Sequence, residues 1–208
     1  MPTVLIVGAT GNIGTSAIYA ALRSKLHVLA IVRNQASAEK LFGNVGTREG
    51  ITTVEADIMS DRGVKDVVEK VRKGELPAFQ HVYSADAYQA TIPYLLEQND
   101  PTSTWTLCTG ASGDNGSRPA ASMTQGALYS LANVACIDNA DTNIRFNEVY
   151  LGLFVMAGTA AEQYGVMKAS EFAIIYEKIL ARPDIIGCRV KVCQPEDLTE
   201  LRFTKKLE

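Results

Sequence analysis

Short apolar, β-branched runs recur along the chain at residues 4–7, 28–32, 51–54, 81–84, 105–109, 144–150 and 188–192. Runs of this length predict strands. The segments between them carry helical spacing instead: Ile18, Ala21 and Leu22; Val64, Val67, Val68 and Val71; Ile92, Leu95 and Leu96; Leu128, Leu131 and Val134; Phe172, Ile175, Tyr176 and Ile179. Near-continuous apolar strands require cover on both faces, and crossovers of about 10–20 residues favour parallel pairing. The pattern therefore predicts an α/β fold, a Rossmann-type doubly wound parallel sheet of about seven strands in one domain spanning residues 1–208.

Composition narrows the function classes. With 208 residues, 47% of them apolar, the chain is long enough to build a core without disulfides or a metal. Twenty basic against 23 acidic residues, mixed along the chain, give a net charge of -3 and no basic block, so a nucleic-acid partner is not expected. Cys108, Cys136, Cys188 and Cys193 form no CxxC pair, which argues against structural zinc. No signal-peptide pattern opens the chain and no apolar run is long enough for a membrane span, so the expected location is cytoplasmic with reduced thiols.

The sharpest chemical signal follows the first predicted strand: Gly8, Ala9, Thr10, Gly11, Asn12, Ile13 and Gly14. Glycines at this spacing allow a tight turn, close approach to a pyrophosphate, and close helix–strand packing, with the phosphates on helix N-terminal amides. At the end of the second strand, where an acidic residue would favour NAD(H), stand Arg33 and Asn34. A guanidinium suits a 2′-phosphate, so NADP(H) is expected as cofactor over NAD(H). Asp57, followed by Ile58, either accepts from an adenine amino group or caps a helix.

These residues, with Val82-Tyr83-Ser84-Ala85 at the end of the fourth strand, resemble the short-chain dehydrogenase/reductase family over most of the chain. The Gly-x-x-Gly-x-x-Gly spacing is similar to the extended and atypical branches, including nitrogen-metabolite-repression type regulators. The resemblance implies that Ser84, Ala85 and Gln125 also contact the cofactor. It also implies a Tyr and Lys four residues apart on the helix after the fifth strand, and a Ser before it. With that helix aligned on Ala127-Leu128, the Lys position holds Gln125 and the Tyr position holds Ala121. Thr109 or Ser112 stands near the Ser position, either as a carbonyl-binding hydroxyl or as a turn residue. Thr109, Ser112 and Gln125 are thus the candidate catalytic residues of an otherwise degenerate site.

The one literal Tyr-x-x-x-Lys, Tyr164 to Lys168, falls in the segment that covers the substrate in this family and reads as a decoy. Between Ala85 and Tyr88 the chain lacks a loop and half a helix that family members carry, leaving only residues 86–99 as the crossover. This is either a true shortening or a segment missing from the sequence in hand. His27 and His81 read as edge-facing strand residues, Cys108 as a small core residue, Trp105 and Phe154 as core packing, and Asp114, Asp138 and Asp141 as solvated carboxylates. The resemblance implies an NADP(H)-dependent oxidoreductase on a small apolar secondary metabolite, reducing a carbonyl or imine without the usual relay. A non-redox cyclase and a non-catalytic NADP(H) sensor or regulator are the alternatives. The resemblance further implies a possible homodimer.

Overall fold

The computed structural model describes residues 1–85 and 87–206; Asp86, Leu207 and Glu208 lie outside the described residues. The chain runs β1 (Thr3–Ile6), α1 (Asn12–Arg23), β2 (His27–Val32), α2 (Gln35–Val45), β3 (Ile51–Glu55), α3 (Gly63–Arg72), β4 (His81–Tyr83) and α4 (Tyr88–Gln98). It continues through β5 (Thr104–Gly110), α5 (Ser112–Asn115), α6 (Pro119–Asp138), β6 (Arg145–Leu151), β7 (Val155–Met156), α7 (Ala160–Tyr164), β8 (Met167–Lys168), α8 (Ala169–Ala181), β9 (Cys188–Val192) and β10 (Arg202–Lys205). The main sheet has eight strands in the order β10-β9-β6-β5-β4-β1-β2-β3, and β7 pairs with β8 separately. Every pairing in it is parallel except β10 on β9.

Alternating strand residues feed two cores. Val4, Ile6, Val28, Ala30, Val149 and Val190 pack beneath α1, α2 and α8, with Phe172, Ile175, Tyr176 and Ile179 as the apolar side of α8. Leu5, Leu29, Val82, Trp105, Leu107 and Phe146 pack beneath α3, α4 and α6, where Val64, Val67, Val68 and Val71 form the buried stripe of α3. Burying each such side chain stabilises the fold by about 1.5–3 kcal/mol.

All seven predicted strands are present, and β10 is an eighth. Its Arg-Phe-Thr-Lys sequence is mostly exposed, as suits a charged edge strand, and so carries no apolar run to betray it. On α6, Val134 points to solvent and the buried positions are Ala132, Ala135 and Cys136, because small residues let this helix lie close to the sheet. Leu96 is likewise exposed on α4, and Phe154 is not core but exposed in the segment between β6 and β7. His81 is not edge-facing: β4 lies between β1 and β5, so its ring is buried with Nδ1 3.0 Å from Thr104 Oγ1.

Candidate functional site

Strand order reverses at β1, which lies between β4 and β2, so successive helices leave for opposite faces and a crevice opens at the carboxyl ends of the strands. The β1–α1 turn forms its floor. Gly8 has φ +77°, where a side chain is strained. Gly14 is required by contact: a Cβ there would stand 2.2 Å from Gly8 O and 2.8 Å from Ala9 Cα. Gly11 N–H donates to Gly8 O at 3.0 Å, closing the turn and leaving the α1 N-terminus facing the crevice. Asn12 Oδ1 accepts from Ala157 N–H at 3.0 Å, tying this turn to the segment after β7.

Two pockets meet at Gly8. The outer one, about 270 Å3, is bordered by Thr10, Arg33, Ser37, Lys40, Asp57 and Ile58. Arg33 and Lys40 are exposed, and neither has an ion-pair or hydrogen-bond partner among the described residues. Sequence reading missed Ser37 and Lys40; their signal was an i, i+3 spacing on the helix that begins just after Arg33. Asn34 does not border this pocket. Its Oδ1 accepts from Ser37 N–H at 2.9 Å and Ser37 Oγ at 3.0 Å, so it is the N-cap of α2. Asp57 Oδ1 accepts from Met59 N–H at 3.0 Å, which orders the turn after β3 while the residue still borders the pocket.

The inner pocket, about 450 Å3, runs from Gly8, Gly11, Asn12, Ile13 and Gly14 past Ser84 and Ala85 to Thr109 and Gln125. Here the candidate side chains are engaged. Thr109 Oγ1 donates to Glu148 Oε1 at 2.7 Å, so its proton is not offered to the cleft. Gln125 Oε1 accepts from Gly110 N–H at 2.6 Å, leaving its amide nitrogen as the only donor of that side chain. One turn further along α6, Tyr129 Oη donates to Gly110 O at 2.6 Å, so the Gly110 peptide is clamped on both sides. Ser112 does not border the cleft; it opens α5, and its carbonyl accepts from Ser122 Oγ at 2.6 Å.

Beneath Thr109 lies an ionic cluster absent from the sequence reading. Glu148, fully buried on β6, takes Arg189 Nε at 2.9 Å and Lys206 Nζ, both on Oε2. The Arg189 guanidinium lies 4.7 Å from the Tyr129 ring centroid and 5.2 Å from that of Tyr150. Burial raises the Tyr129 and Tyr150 phenols above their usual range, and neighbouring Asp114 adds to it. Cys108 borders the cleft, but burial pushes its thiol up to about 12, so it is a protonated wall residue. Tyr164 is exposed and Lys168 pairs with Glu162 at 2.6 Å; neither borders the cleft.

Three comparisons place this geometry. Residues 1–86 match the NmrA-like family. The chain is 48% identical to the "Short-chain dehydrogenase/reductase iacG" of Pestalotiopsis fici, over 98% of this chain and 96% of the relative. That alignment spans 239 positions, more than the 208 residues present, so the relative carries residues that this chain lacks. Among solved structures, NAD+-bound xylitol dehydrogenase superposes with a TM-score of 0.74 at 17% identity, covering 92% of this chain and 97% of that one. The NADPH-bound short chain oxidoreductase of Pseudomonas aeruginosa PAO1, described as containing an atypical catalytic center, superposes with a TM-score of 0.73 at 14% identity, covering 92% and 95%. The structural likenesses show the fold, and the extended identity shows the lineage: the chain belongs to the short-chain dehydrogenase/reductase family.

Proposed function

We propose that the protein is an NADP(H)-dependent oxidoreductase acting on a small apolar metabolite through a cleft without the usual Tyr–Lys relay. The observation that carries the cofactor preference is the pair of cations, Arg33 and Lys40, around the outer pocket that have no partner among the described residues. A 2′-phosphate supplies the missing counter-charge, with Ser37 and Thr10 beside it. The pyrophosphate fits the turn in which Gly14 has no room for a Cβ, Asp57 and Ile58 stand at the adenine, and Ser84, Ala85 and Gln125 line the path to the ribose and nicotinamide. When bound, the cofactor supplies a hydride.

The chain's own residues define which acceptor suits it. Thr109 spends its proton on Glu148, and Gln125 carries no transferable proton at ordinary pH. General acid catalysis contributes about 10²–10⁴ in rate, so its absence favours an iminium acceptor, which needs no proton on hydride addition. The Gln125 amide nitrogen serves as an orienting donor. The test is calorimetric titration with NADPH and NADH on wild type and Arg33→Ala. Wild type should prefer NADPH, and the variant should lose about 1.5–3 kcal/mol of NADPH affinity with NADH unchanged. Equal loss for both cofactors overturns the 2′-phosphate assignment, and no binding of either overturns the cofactor reading.

The same spent side chains favour, as a second reading, a non-catalytic NADP(H) binder. Consumption of NADPH on screening cyclic imines and ketones separates the two. A homodimer is also part of the proposal: Met123, Val134 and Ile137 are exposed on one side of α6 and offer a second copy an apolar stripe. Sedimentation equilibrium with Ile137→Glu as the disrupting variant checks it.

A further inference from the structure

The inner cleft has two walls, α6 and the segment after β6, and each brings one exposed side chain to the mouth. The segment leaves the cleft lining at Leu151 and returns to it at Ala157, whose N–H donates to the cleft-lining Asn12 Oδ1 at 3.0 Å, so residues 152–156 follow the rim. Phe154, midway along that rim, is 66% exposed. Arg118 is the N-cap residue of α6, about two turns before Gln125, and so stands above the cleft-lining side of that helix. Its guanidinium carbon lies 5.9 Å from the Phe154 ring centroid, and the two walls meet there.

Local structure explains neither residue. Arg118 makes no side-chain cap, and a cation at the positive end of a 20-residue helix with no acidic residue in its first turn is electrostatically unfavourable. Apart from the Phe154 ring it has no hydrogen-bond or ion-pair partner among the described residues. Phe154 leaves its ring in water while the adjacent Val155 is buried. An exposed cation–π contact is weak enough for a ligand to enter it. Among the described residues no charged side chain lines the cleft within, so recognition of a charged group falls to the mouth.

A ligand that answers both residues has an anionic end and a flat apolar body. A carboxylate matches a single guanidinium in charge and in forked geometry, and an unsaturated or aromatic body stacks on Phe154. We propose that Arg118 and Phe154 select an apolar substrate bearing one carboxylate, held at the mouth while its reducible bond points inward past Gln125. This rests on the oxidoreductase reading above and names the class of its substrate. An iminium with such a carboxylate is neutral overall, which suits a cleft whose described lining is uncharged.

The test compares trans-cinnamate with cinnamamide, which share a planar body and differ in charge. Calorimetric titration into the NADP+-loaded protein should show cinnamate bound about tenfold tighter than the amide. Arg118→Gln should remove that preference and leave amide binding and NADP+ affinity unchanged, whereas Phe154→Ala should weaken both probes alike. Arg118→Gln should melt no lower than wild type, since its cation opposes the helix dipole. Equal binding of the two probes by wild type, a preference that survives Arg118→Gln, or probes indifferent to Phe154→Ala overturns the assignment with the cofactor reading intact. Binding of neither probe overturns it as well. If NADP+ itself does not bind, the cofactor reading falls, and the same titrations on the cofactor-free protein decide the carboxylate assignment by the same outcomes.

Discussion

The β1–α2 region and the β5–β6 region use polar side chains in opposite ways. Around the outer pocket, Arg33 and Lys40 stand exposed without partners among the described residues. At the ends of β5 and β6, Thr109, Gln125, Tyr129, Glu148, Arg189 and Lys206 bond to one another or to the Gly110 peptide. A side chain that is to meet a ligand keeps bonding capacity in reserve in the free protein, whereas one that holds the fold has spent it. The difference teaches that the first region holds charge in reserve at its surface, while the second has committed its polar side chains to structural contacts.

The largest test of this contrast is Glu148→Ala. Removing the shared carboxylate strands Arg189 and the nearly buried Lys206, and denaturant unfolding should show a loss of about 3–5 kcal/mol. A loss below about 1 kcal/mol would mean that the cluster relaxes into water and that Thr109 is not fixed by it.

A pH titration of stability comes next. Burial, with help from nearby Arg145, lowers the His81 imidazole to about 4 from its ordinary 6.5, so the folded protein holds it neutral. The unfolded chain takes up that proton first. The stabilisation is therefore complete above pH 6.5 and is lost as pH falls from 6.5 towards 4, by about 3 kcal/mol. Denaturation of wild type and His81→Gln at pH 7 and pH 4 should show this difference disappear in the variant.

Gly14→Ala sharpens the other side of the comparison. Its methyl meets backbone atoms of Gly8 and Ala9, so the turn must open, with about 1–3 kcal/mol of stability lost and dinucleotide binding abolished in calorimetry. The smallest effect is expected from Tyr164→Phe and Lys168→Ala. Both residues lie outside the cleft, so NADPH affinity should not change, and loss of the exposed, solvent-screened Lys168–Glu162 pair should leave stability unchanged in denaturant unfolding. A tenfold effect of either on binding would restore the literal Tyr-x-x-x-Lys to the site.

How much was legible in the sequence differs between these same regions. The glycine turn was legible because each glycine answers a local constraint, a positive φ at Gly8 or a backbone collision at Gly14. Arg33 and Asn34 read alike from their place at the end of β2, but only Arg33 borders the outer pocket while Asn34 caps α2, since an Asn before a helix can serve either purpose. Thr109 and Ser112 read together as carbonyl-binding candidates because they stand at and just beyond the end of β5. Only the fold shows that one is held by Glu148 and the other lies off the cleft wall.

Period alone determined the strand–helix alternation, the parallel sheet and the position of the cofactor turn, because apolar runs and glycines act within a few residues of their own location. Tertiary structure decided what each polar group faces. Glu148 and Lys206 are 58 residues apart, and Arg145 donates to carbonyls at Ile179 and Arg182 across the sheet edge. Tyr83 and Thr106 become neighbours only because β4 lies beside β5 in this register. Whether a hydroxyl is spent or available depends on partners brought together by chain crossing, and no local pattern carries that information.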